Sequence, residues 1–290
     1  MKLEGTSAVI TGAGNGIGRA TALALARAGV NVAIADIEAE AAESVAGEVR
    51  DLGVRSLGMA VDVTGEAQIA QLAEAAWAEF GSVQILMNNA GVMPATGPLW
   101  ERSQADFDWA FGVNVGGVLS GIRQFVPRFI ESGEPCWVVN TGSEHSFGVP
   151  HLFGGVYTAT KHAVLGLSDV LARELPDNVG VSVLCPGLVE TSLWRASERR
   201  QDAFGGAAEA SPAGAAAMTH GLSAEAVAEC VLIGLQDETF FMLPHSHVVE
   251  IARERWENAE RAFATQAPRT PGDDRYDVNK VIARLSGGES

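Results

Sequence analysis

The sequence predicts an α/β fold, in which a doubly wound, parallel, seven-stranded sheet forms a single domain that is followed by a helical extension. Seven short apolar runs alternate along the chain with longer segments of helical periodicity. The runs are apolar throughout, which is typical of parallel strands covered by helices on both faces. Right-handed crossovers between such strands place a ligand crevice at their carboxyl ends.

Each predicted strand is a short uncharged run dominated by aliphatic or aromatic residues, and a segment with helical spacing of apolar residues separates it from the next. The strands are predicted at 6–11, 30–35, 56–61, 83–88, 137–141, 179–185 and 239–243. The helices are predicted at 16–28, 38–52, 65–80, 106–132, 156–175 and 223–236.

Two segments interrupt this alternation. Residues 188–222 contain an Ala/Gly-rich run and are predicted to be a long loop that covers the substrate, because such loops in compact domains are usually functional or disordered. After the last strand, 246–264 has the pattern of an amphipathic helix, and the polar, Pro/Gly-rich 265–290 is expected to be a loose tail. We therefore expect a main domain over 1–245 and a C-terminal helix and tail over 246–290.

Charge and cysteine content narrow the class of protein. The formal net charge is −16, so nucleic-acid or membrane-surface binding is not expected. The three cysteines, Cys136, Cys185 and Cys230, lie far apart in apolar surroundings, which is typical of core residues in a reducing compartment. The chain begins almost directly with an apolar strand and has no secretory pattern or membrane-length apolar run, so a cytoplasmic location is expected.

A glycine-rich turn follows the first predicted strand. In TGAGNGIG, at 11–18, Gly12 permits a tight turn, Gly16 lets the backbone approach a pyrophosphate and Gly18 allows close packing of helix on strand. The amides at the start of the next helix would face the phosphates. An ordinary glycine-rich turn is the alternative, but the order of strand, turn and helix favours a dinucleotide site.

Asp36 ends the second predicted strand, where an adenosine ribose is expected. Its carboxylate can accept both ribose hydroxyl groups, and it would repel a 2′-phosphate. Neither Asn15 nor Ile37 offers a compensating cation, so the sequence favours NAD over NADP. A solvated aspartate at the end of a strand is the alternative.

A possible reaction centre lies in the second half of the chain. Tyr157 and Lys161 are four residues apart on one face of a predicted helix. Ser143 follows the strand WVVNT and should project into the same crevice, although Ser146 competes for that position. Asn114 is a further candidate, with a polar helix-interior residue bound to backbone as the alternative.

Together these motifs resemble those of short-chain dehydrogenases/reductases with a Rossmann fold, over about 1–245. The resemblance also rests on Asp62-Val63, on NNAG at 88–91 and on PGLVET at 186–191. It implies that Asn114, Ser143, Tyr157 and Lys161 form a catalytic tetrad. The predicted cofactor-binding residues in the glycine turn, at the end of the second strand and in the reaction centre are Gly12, Asn15, Gly16, Ile17, Gly18, Asp36, Ile37, Tyr157 and Lys161. The resemblance adds adenine and nicotinamide contacts at Asp62, Val63, Asn89, Ala90, Gly91, Pro186, Gly187, Val189 and Thr191.

The chemistry of alcohol oxidation independently requires such a set. A tyrosine with a pKa of about 10 is almost fully protonated at neutral pH, so acting as a base near pH 7 requires a pKa about 3 units lower. The ammonium of Lys161 and a positively charged nicotinamide ring are expected to lower it. Ser143 would donate to the substrate oxygen, and the backbone carbonyl of Asn114 would hold a water that links Lys161 to solvent.

The loops that should face the substrate are largely apolar and contain no cluster of Arg or Lys. The predicted substrate contacts are Met93, His145, Phe153 and Trp194, the last as a cover for an aromatic ring or alternatively as a core residue. The substrate is therefore expected to be a bulky, neutral secondary alcohol or ketone. Five of the six histidines are interpreted as isolated surface or loop residues: His145, His151, His220, His245 and His247. They share no ligand spacing for a metal apart from His245 and His247, which lie just past the last strand.

Segment 106–135 and the C-terminal extension are also similar to Cα-dehydrogenases of lignin-derived aryl ethers, which implies a benzylic alcohol as substrate. A hydroxysteroid dehydrogenase is the enzymatic alternative. A non-catalytic NAD-binding regulator is the alternative from another class, although Tyr157 and Lys161 are both present. The family resemblance further implies a homodimer or homotetramer paired through the long helices.

Overall fold

The order of the strands determines where along the edge of the sheet a ligand can bind. In this computed structural model, which describes residues 1–210, 212–267 and 270–285, the seven strands form one sheet in the order β3-β2-β1-β4-β5-β6-β7, and every neighbouring pair is parallel. The predicted doubly wound sheet is therefore confirmed. The strands are β1 Ser7–Thr11, β2 Asn31–Asp36, β3 Ser56–Ala60, β4 Ile85–Asn88, β5 Cys136–Thr141, β6 Val179–Leu184 and β7 Phe241–Met242.

Helices cover both faces of the sheet because consecutive strands are joined by helical crossovers. One hydrophobic cluster includes the buried faces of the first, second and eighth helices, and another lies on the opposite face. The helices are α1 Gly16–Arg27, α2 Ala39–Asp51, α3 Glu66–Phe80, α4 Gln104–Phe111, α5 Gly117–Ser132, α6 Gly155–Glu174, α7 Pro212–Met218, α8 Ala224–Gln236, α9 Val248–Gln266 and α10 Val278–Leu285.

Strand order changes direction between β1 and β4, since β2 and β3 lie to one side of β1 and β4 to β7 to the other. At such a switch point the crossovers leave in opposite directions and open a crevice beyond the carboxyl ends of the strands. The segments that leave these ends, after Thr11, Asp36, Asn88 and Thr141, carry the predicted functional motifs.

The structure corrects two of the sequence predictions. The helix predicted over 106–132 is two helices, α4 and α5, separated by a π-helical turn at Gly112–Gly116. The tail predicted to be loose contains a 3-10 turn at Asp273–Tyr276 and the helix α10. The apolar residues of this short helix have strong helical periodicity, although the neighbouring residues are rich in Pro and Gly, which is typical of a loose tail.

Contacts within the chain divide it into two compact units, Met1–Val248 and Val249–Ser290. The first contains the sheet and every predicted site residue. Among the described residues, no helix has the length and apolarity needed to cross a bilayer.

Candidate active site

The turn after β1 leaves no room for side chains at two of its glycines. Gly12 has a φ of 61°, and a Cβ placed on it would lie 2.7 Å from the Cα of Ala90. A Cβ on Gly18 would lie 2.4 Å from the Gly12 carbonyl oxygen, which confirms close helix-strand packing there. No side chain caps the first turn of α1, so its backbone amides can receive an anion. The turn fits the diphosphate of a dinucleotide.

Asp36 is buried and fixed by backbone donors rather than solvated. Its side chain lies at the end of β2 and the residue is 5% exposed. One carboxylate oxygen accepts the Gly14 N–H at 2.8 Å and the other accepts the Glu38 N–H at 3.1 Å. Each oxygen keeps a lone pair for a further donor, such as a ribose hydroxyl.

Asn89 connects the ends of β4 and β1. Its side-chain amide donates to the carbonyls of Thr11 and Gly12, both at 3.0 Å. The Thr11 hydroxyl in turn accepts the N–H groups of Asn89 and Ala90 at 3.0 and 3.1 Å. These four bonds hold the segment after β4 against the glycine turn, which explains why Asn89 and its neighbours belong to the same site.

Asp62 faces the cleft from the end of the segment after β3. One carboxylate oxygen accepts both the N–H and the hydroxyl of Thr64, at 2.9 and 2.7 Å. The other accepts the side-chain amide of Gln201 at 2.9 Å. Gln201 also accepts the indole N–H of Trp109 at 3.1 Å, so the segment after β6 is anchored across the cleft.

Ser143, Tyr157 and Lys161 converge at the opposite end of the same cleft. The Ser143 hydroxyl is hydrogen-bonded to Tyr157. Lys161, which is 3% exposed, donates from Nζ to the Thr141 carbonyl at 2.8 Å, and this Nζ lies 5.5 Å from the centre of the Tyr157 ring. Because α6 presents Tyr157 and Lys161 on one face and β5 ends just before Ser143, three distant sequence positions meet here.

The structure distinguishes Ser143 from its competitor Ser146. Ser143 lines the cleft, whereas the Ser146 hydroxyl donates to the backbone carbonyl of Lys161 at 2.9 Å behind it. Ser146 also accepts the N–H of Ser143 at 3.2 Å. Ser146 therefore stabilises the turn, and Ser143 is the serine that faces the cleft.

Asn114 lies in the π-helical turn and does not line the cleft. Its side chain exchanges two hydrogen bonds with the backbone of Val92, at 2.8 and 2.9 Å, and donates to Thr160 at 3.0 Å. Asn114 thus connects the segment after β4 to the helix that carries Tyr157. The role predicted for its carbonyl stays a prediction.

Burial changes the acidity of both Tyr157 and Lys161. Desolvation raises the pKa of Tyr157 to about 12, although the Ser143 hydrogen bond acts in the opposite direction. Desolvation likewise lowers the pKa of Lys161 to about 8. The expected lowering of the Tyr157 pKa by Lys161 is thus not found in the protein alone, where burial of the phenol raises this pKa.

We expect Tyr157 to remain protonated well above the usual tyrosine range in the absence of a dinucleotide. The chain has only two tyrosines, so a Tyr276→Phe variant leaves Tyr157 as the single phenol, and its ionisation can be followed by ultraviolet difference absorbance. Because the folded pKa lies above the unfolded value of about 10, folding is favoured fully below that pH and loses stability between about pH 10 and 12. Phenolate formation centred near or below pH 10, with circular dichroism still native, would contradict the assigned environment.

The interpretation of the histidines as isolated surface residues is wrong for His145. It is 4% exposed, and its Nδ1 lies 2.7 Å from the Thr158 hydroxyl. Its Nε2 lies 3.2 Å from Nε2 of His151, whose Nδ1 donates to the Leu152 carbonyl at 2.9 Å. Burial lowers the pKa of His145 to about 3, so it is neutral at physiological pH.

His245 and His247 are also bound to the cleft wall rather than isolated. His245 accepts the Gly187 N–H at 3.1 Å, and its other ring nitrogen donates to the Leu188 carbonyl at 3.0 Å. His247 contacts the Glu144 carboxylate at 2.8 Å. No group of three or more metal-binding side chains occurs among residues 1–210, 212–267 and 270–285.

The structure brings most, but not all, of the predicted site residues into one cleft. Those that line it are Gly12, Asn15, Gly16, Ile17, Asp36, Ile37, Asp62, Val63, Asn89, Ala90, Gly91, Met93, Ser143, His145, Tyr157, Lys161, Pro186, Gly187, Val189 and Thr191. Those that do not are Gly18, Asn114, Phe153 and Trp194. Gly18 is the helix-packing glycine, and Asn114 lies behind the cleft wall.

Trp194 faces away from the cleft because of the local helical period. Residues Leu193–Arg199 form a 3-10 segment, in which positions three apart share a face. Leu193, Ala196 and Arg199 therefore line the cleft, while Trp194 borders a separate shallow depression. Phe153 adopts a left-handed φ of 70° and its side chain is 56% exposed, so neither aromatic residue is positioned to cover a substrate.

Several cleft residues were not singled out in the sequence. Trp109 lies on α4, and Arg199, Gln201 and Met218 lie in the predicted lid 188–222. The lid has no regular apolar spacing that would indicate which of its residues face inward. Leu193, Ala196 and Arg199 share a face only because this segment forms a 3-10 helix, which the sequence did not predict.

Comparison with known proteins agrees with this geometry. The sequence model of the short chain dehydrogenase family matches residues 6–202. A Cα-dehydrogenase of Sphingobium sp. strain SYK-6 is 32% identical over 84% of this chain and 81% of its own length. A 1-deoxy-11-beta-hydroxypentalenate dehydrogenase of Streptomyces exfoliatus is 32% identical over 97% of this chain and 98% of its own length.

A solved structure extends the similarity to the whole fold. A short chain dehydrogenase/reductase from Burkholderia phymatum, crystallised in complex with NAD, superposes with a TM-score of 0.84 at 35% identity, covering 93% of this chain and 99% of the other. The sequence match, the doubly wound sheet and the cleft at its switch point agree with one another. The chain belongs to the short-chain dehydrogenase/reductase family.

Proposed function

We propose that the protein is an NAD-dependent dehydrogenase acting on a bulky, mainly apolar secondary alcohol or the corresponding ketone. This proposal rests on one observation: Ser143, Tyr157 and Lys161 converge at one end of the cleft. Asp36 and the glycine turn form the other end of the same cleft. A non-catalytic nucleotide-binding protein would have no need of this group of three.

The choice of NAD is supported by the ribose end of the cleft. Asp36 is held with both oxygens toward backbone donors, and a buried carboxylate there repels a 2′-phosphate. The similar Burkholderia phymatum protein was solved with NAD bound.

In this mechanism Tyr157 exchanges a proton with the substrate oxygen. The bound dinucleotide supplies the hydride acceptor or donor. Tyr157 takes the hydroxyl proton during oxidation and returns it during reduction. The hydrogen bond that the Ser143 hydroxyl donates to the Pro186 carbonyl is long, at 3.4 Å, so this hydroxyl can turn and donate to the substrate oxygen at little cost. The ammonium of Lys161 keeps a positive charge beneath the phenol ring.

The proposed substrate class is supported by the apolar lining of the cleft. Val92, Met93, Leu188, Leu193 and Met218 provide apolar surface there. Among the described residues, the cationic side chains that line the cleft are Lys161, which is bound to a carbonyl, and Arg199, which pairs with Glu38 near the ribose end. An anionic substrate would thus find no partner, whereas a neutral aryl secondary alcohol would pack on the apolar wall.

The test is an activity screen with NAD that compares benzylic secondary alcohols, hydroxysteroids and small alcohols. We expect the highest kcat/KM for a benzylic alcohol, which is the substrate class that the resemblance to Cα-dehydrogenases of lignin-derived aryl ethers implies. Highest activity on hydroxysteroids would support the alternative enzyme, and activity only on small charged substrates would contradict the substrate class. NAD binding without turnover of any alcohol would favour the non-catalytic alternative.

The 3-10 segment after β6 supplies a specific prediction about substrate size. Leu193→Ala should raise KM for a bulky aryl substrate about tenfold and change KM for a small alcohol little, because it removes apolar surface from the cleft. Trp194→Ala is the matched control, since Trp194 faces outward, and should not discriminate by size. The measurement is KM for both substrates of each variant with NAD saturating. If Trp194→Ala, and not Leu193→Ala, raised KM selectively for the bulky substrate, Trp194 would be the residue that contacts the substrate.

We also propose that the protein forms a homodimer or homotetramer in solution. Exposed apolar side chains on α5 and α6, including Leu119, Ile130 and Val170, offer surface that association would bury. Light scattering coupled to size-exclusion chromatography measures the assembly, and a monomer at micromolar concentration would contradict this proposal.

A further inference from the structure

An ion pair connects the two walls of the cleft at its ribose end. Arg199 closes the 3-10 segment Leu193–Arg199, and its Nε lies 2.6 Å from a carboxylate oxygen of Glu38. Glu38 comes two residues after Asp36 and immediately before the first residue of α2. A cation from the segment after β6 is thus brought to the loop that determines which adenosine ribose is accepted.

The Arg199 side chain belongs to the cleft and not merely to the surface. It is 25% exposed, against 49% for the Glu38 side chain, and it lines the same cleft as Asp36 and Ile37. Neither Asn15 in the glycine turn nor Ile37 after β2 supplies a cation at this position. Arg199 is 163 positions beyond Asp36 in the chain, so only the fold brings them together.

We propose that Arg199 is a cofactor-specificity residue whose guanidinium would accept a 2′-phosphate, and that Glu38 prevents this by holding the guanidinium in an ion pair. The inference rests on the proposed function, because it takes this cleft as the dinucleotide site. Preference for NAD then depends on two carboxylates: Asp36, which repels a 2′-phosphate, and Glu38, which neutralises the Arg199 cation.

The charges at the ribose end support this division of roles. Asp36 and Glu38 are acidic and Arg199 is basic, so the group as it stands is net negative and repels a 2′-phosphate. Without the Glu38 carboxylate the group becomes neutral and contains an unpaired guanidinium. Guanidinium groups bind phosphate through two parallel N–H donors, so the freed Arg199 would favour the phosphorylated ribose.

Glu38 can be changed without removing a helix cap. Its side chain makes no capping hydrogen bond at the start of α2, and the bond to Asp36 comes from its backbone N–H. Arg195 offers a matched control cation. It lies in the same 3-10 segment and has an ion pair with Glu198 at 2.8 Å, but it does not line the cleft.

The experiment measures equilibrium dissociation constants of NADH and NADPH from nucleotide fluorescence at low ionic strength, independently of turnover. Glu38→Gln should raise the affinity for NADPH relative to NADH about tenfold. Adding Arg199→Gln should abolish that gain, whereas adding Arg195→Gln should preserve it. The gain should also shrink as salt is added, since a guanidinium-phosphate contact near the surface is screened.

Two results would overturn the inference while leaving the proposed function intact: no relative gain for NADPH in Glu38→Gln, or a gain that persists when Arg199 is also replaced. The second would mean that loss of the Glu38 charge alone relaxes the preference. Failure of the unchanged protein to bind NADH would instead contradict the proposed function, and the inference with it.

Discussion

Tyr157→Phe is expected to lower kcat by about a thousandfold while NADH binds with near-normal affinity. The substitution removes the hydroxyl that contacts Ser143 and exchanges the proton, but it keeps the ring. The ring packs edge-on to His145 at 5.1 Å and covers Lys161, so the surroundings should be preserved. Steady-state turnover and NADH fluorescence titration measure the two effects separately.

Two further variants make this result interpretable. Tyr276→Phe removes the other tyrosine, which is 73% exposed, and should leave turnover unchanged. Lys161→Ala should impair both binding and turnover, because Lys161 is predicted to serve the cofactor as well as the proton. If Tyr157→Phe retained more than a tenth of the wild-type rate, the acid/base assignment would be wrong.

The dependence of that reaction on pH follows from the same residue. Oxidation needs the phenolate, so its kcat/KM should rise with pH, and ketone reduction needs the phenol and should fall over the same range. Because burial holds the pKa of Tyr157 near 12 in the protein alone, the positive charge that accompanies oxidised NAD has to lower it for oxidation to proceed near neutrality.

The sheet and the chemistry at its edge were predictable for a simple physical reason. A strand buried on both faces must be apolar throughout, so runs such as those of β2 and β6 stand out against the polar residues between them. The turn after β1 was equally visible, since Gly12 and Gly18 have no room for a Cβ. Where a local rule forces the residue type, the sequence contains the answer.

Other features depend on contacts that no local rule encodes. The π-helical turn at Asn114 interrupts a continuous apolar pattern, and its side chain is held by Val92 and Thr160, which come from other elements. Arg199 and Gln201 reach the cleft from a segment with little regular spacing. Their partners, Glu38 and Asp62, follow β2 and β3, so their role emerges only when the chain is folded.

The position of His145 likewise depends on contacts that the local sequence does not encode. His145 follows Ser143 by two positions and has no metal-ligand spacing, so the sequence indicated a loop residue that contacts the substrate. In the fold its ring lies between Thr158 and His151 and connects the turn after β5 to the first turn of α6. Its burial is therefore a consequence of how Ser143 and Tyr157 are brought together.

The second large effect is expected from Asp36→Ser combined with Ile37→Arg, which should shift the ratio of kcat/KM for NAD over NADP by about a hundredfold toward NADP. The first change removes the carboxylate that repels a 2′-phosphate, and the second adds a cation at a position that is 40% exposed and lines the cleft. Ile37→Arg alone is the matched control. It should shift the ratio of kcat/KM less, because the Asp36 carboxylate would partly neutralise the charge of the added arginine.

Serine is preferred to asparagine at position 36 because of the two backbone donors that the carboxylate accepts. Asparagine would direct its NH2 group at either the Gly14 or the Glu38 N–H, whereas serine leaves one donor unpaired without opposing it. That unpaired N–H should cost about 1 to 3 kcal/mol of folding stability, which thermal denaturation of the variant would detect. Equal use of NAD and NADP by the unchanged protein would show that the Asp36 carboxylate does not select the cofactor. A lower melting temperature in the double variant without a change in preference would limit Asp36 to holding the loop after β2.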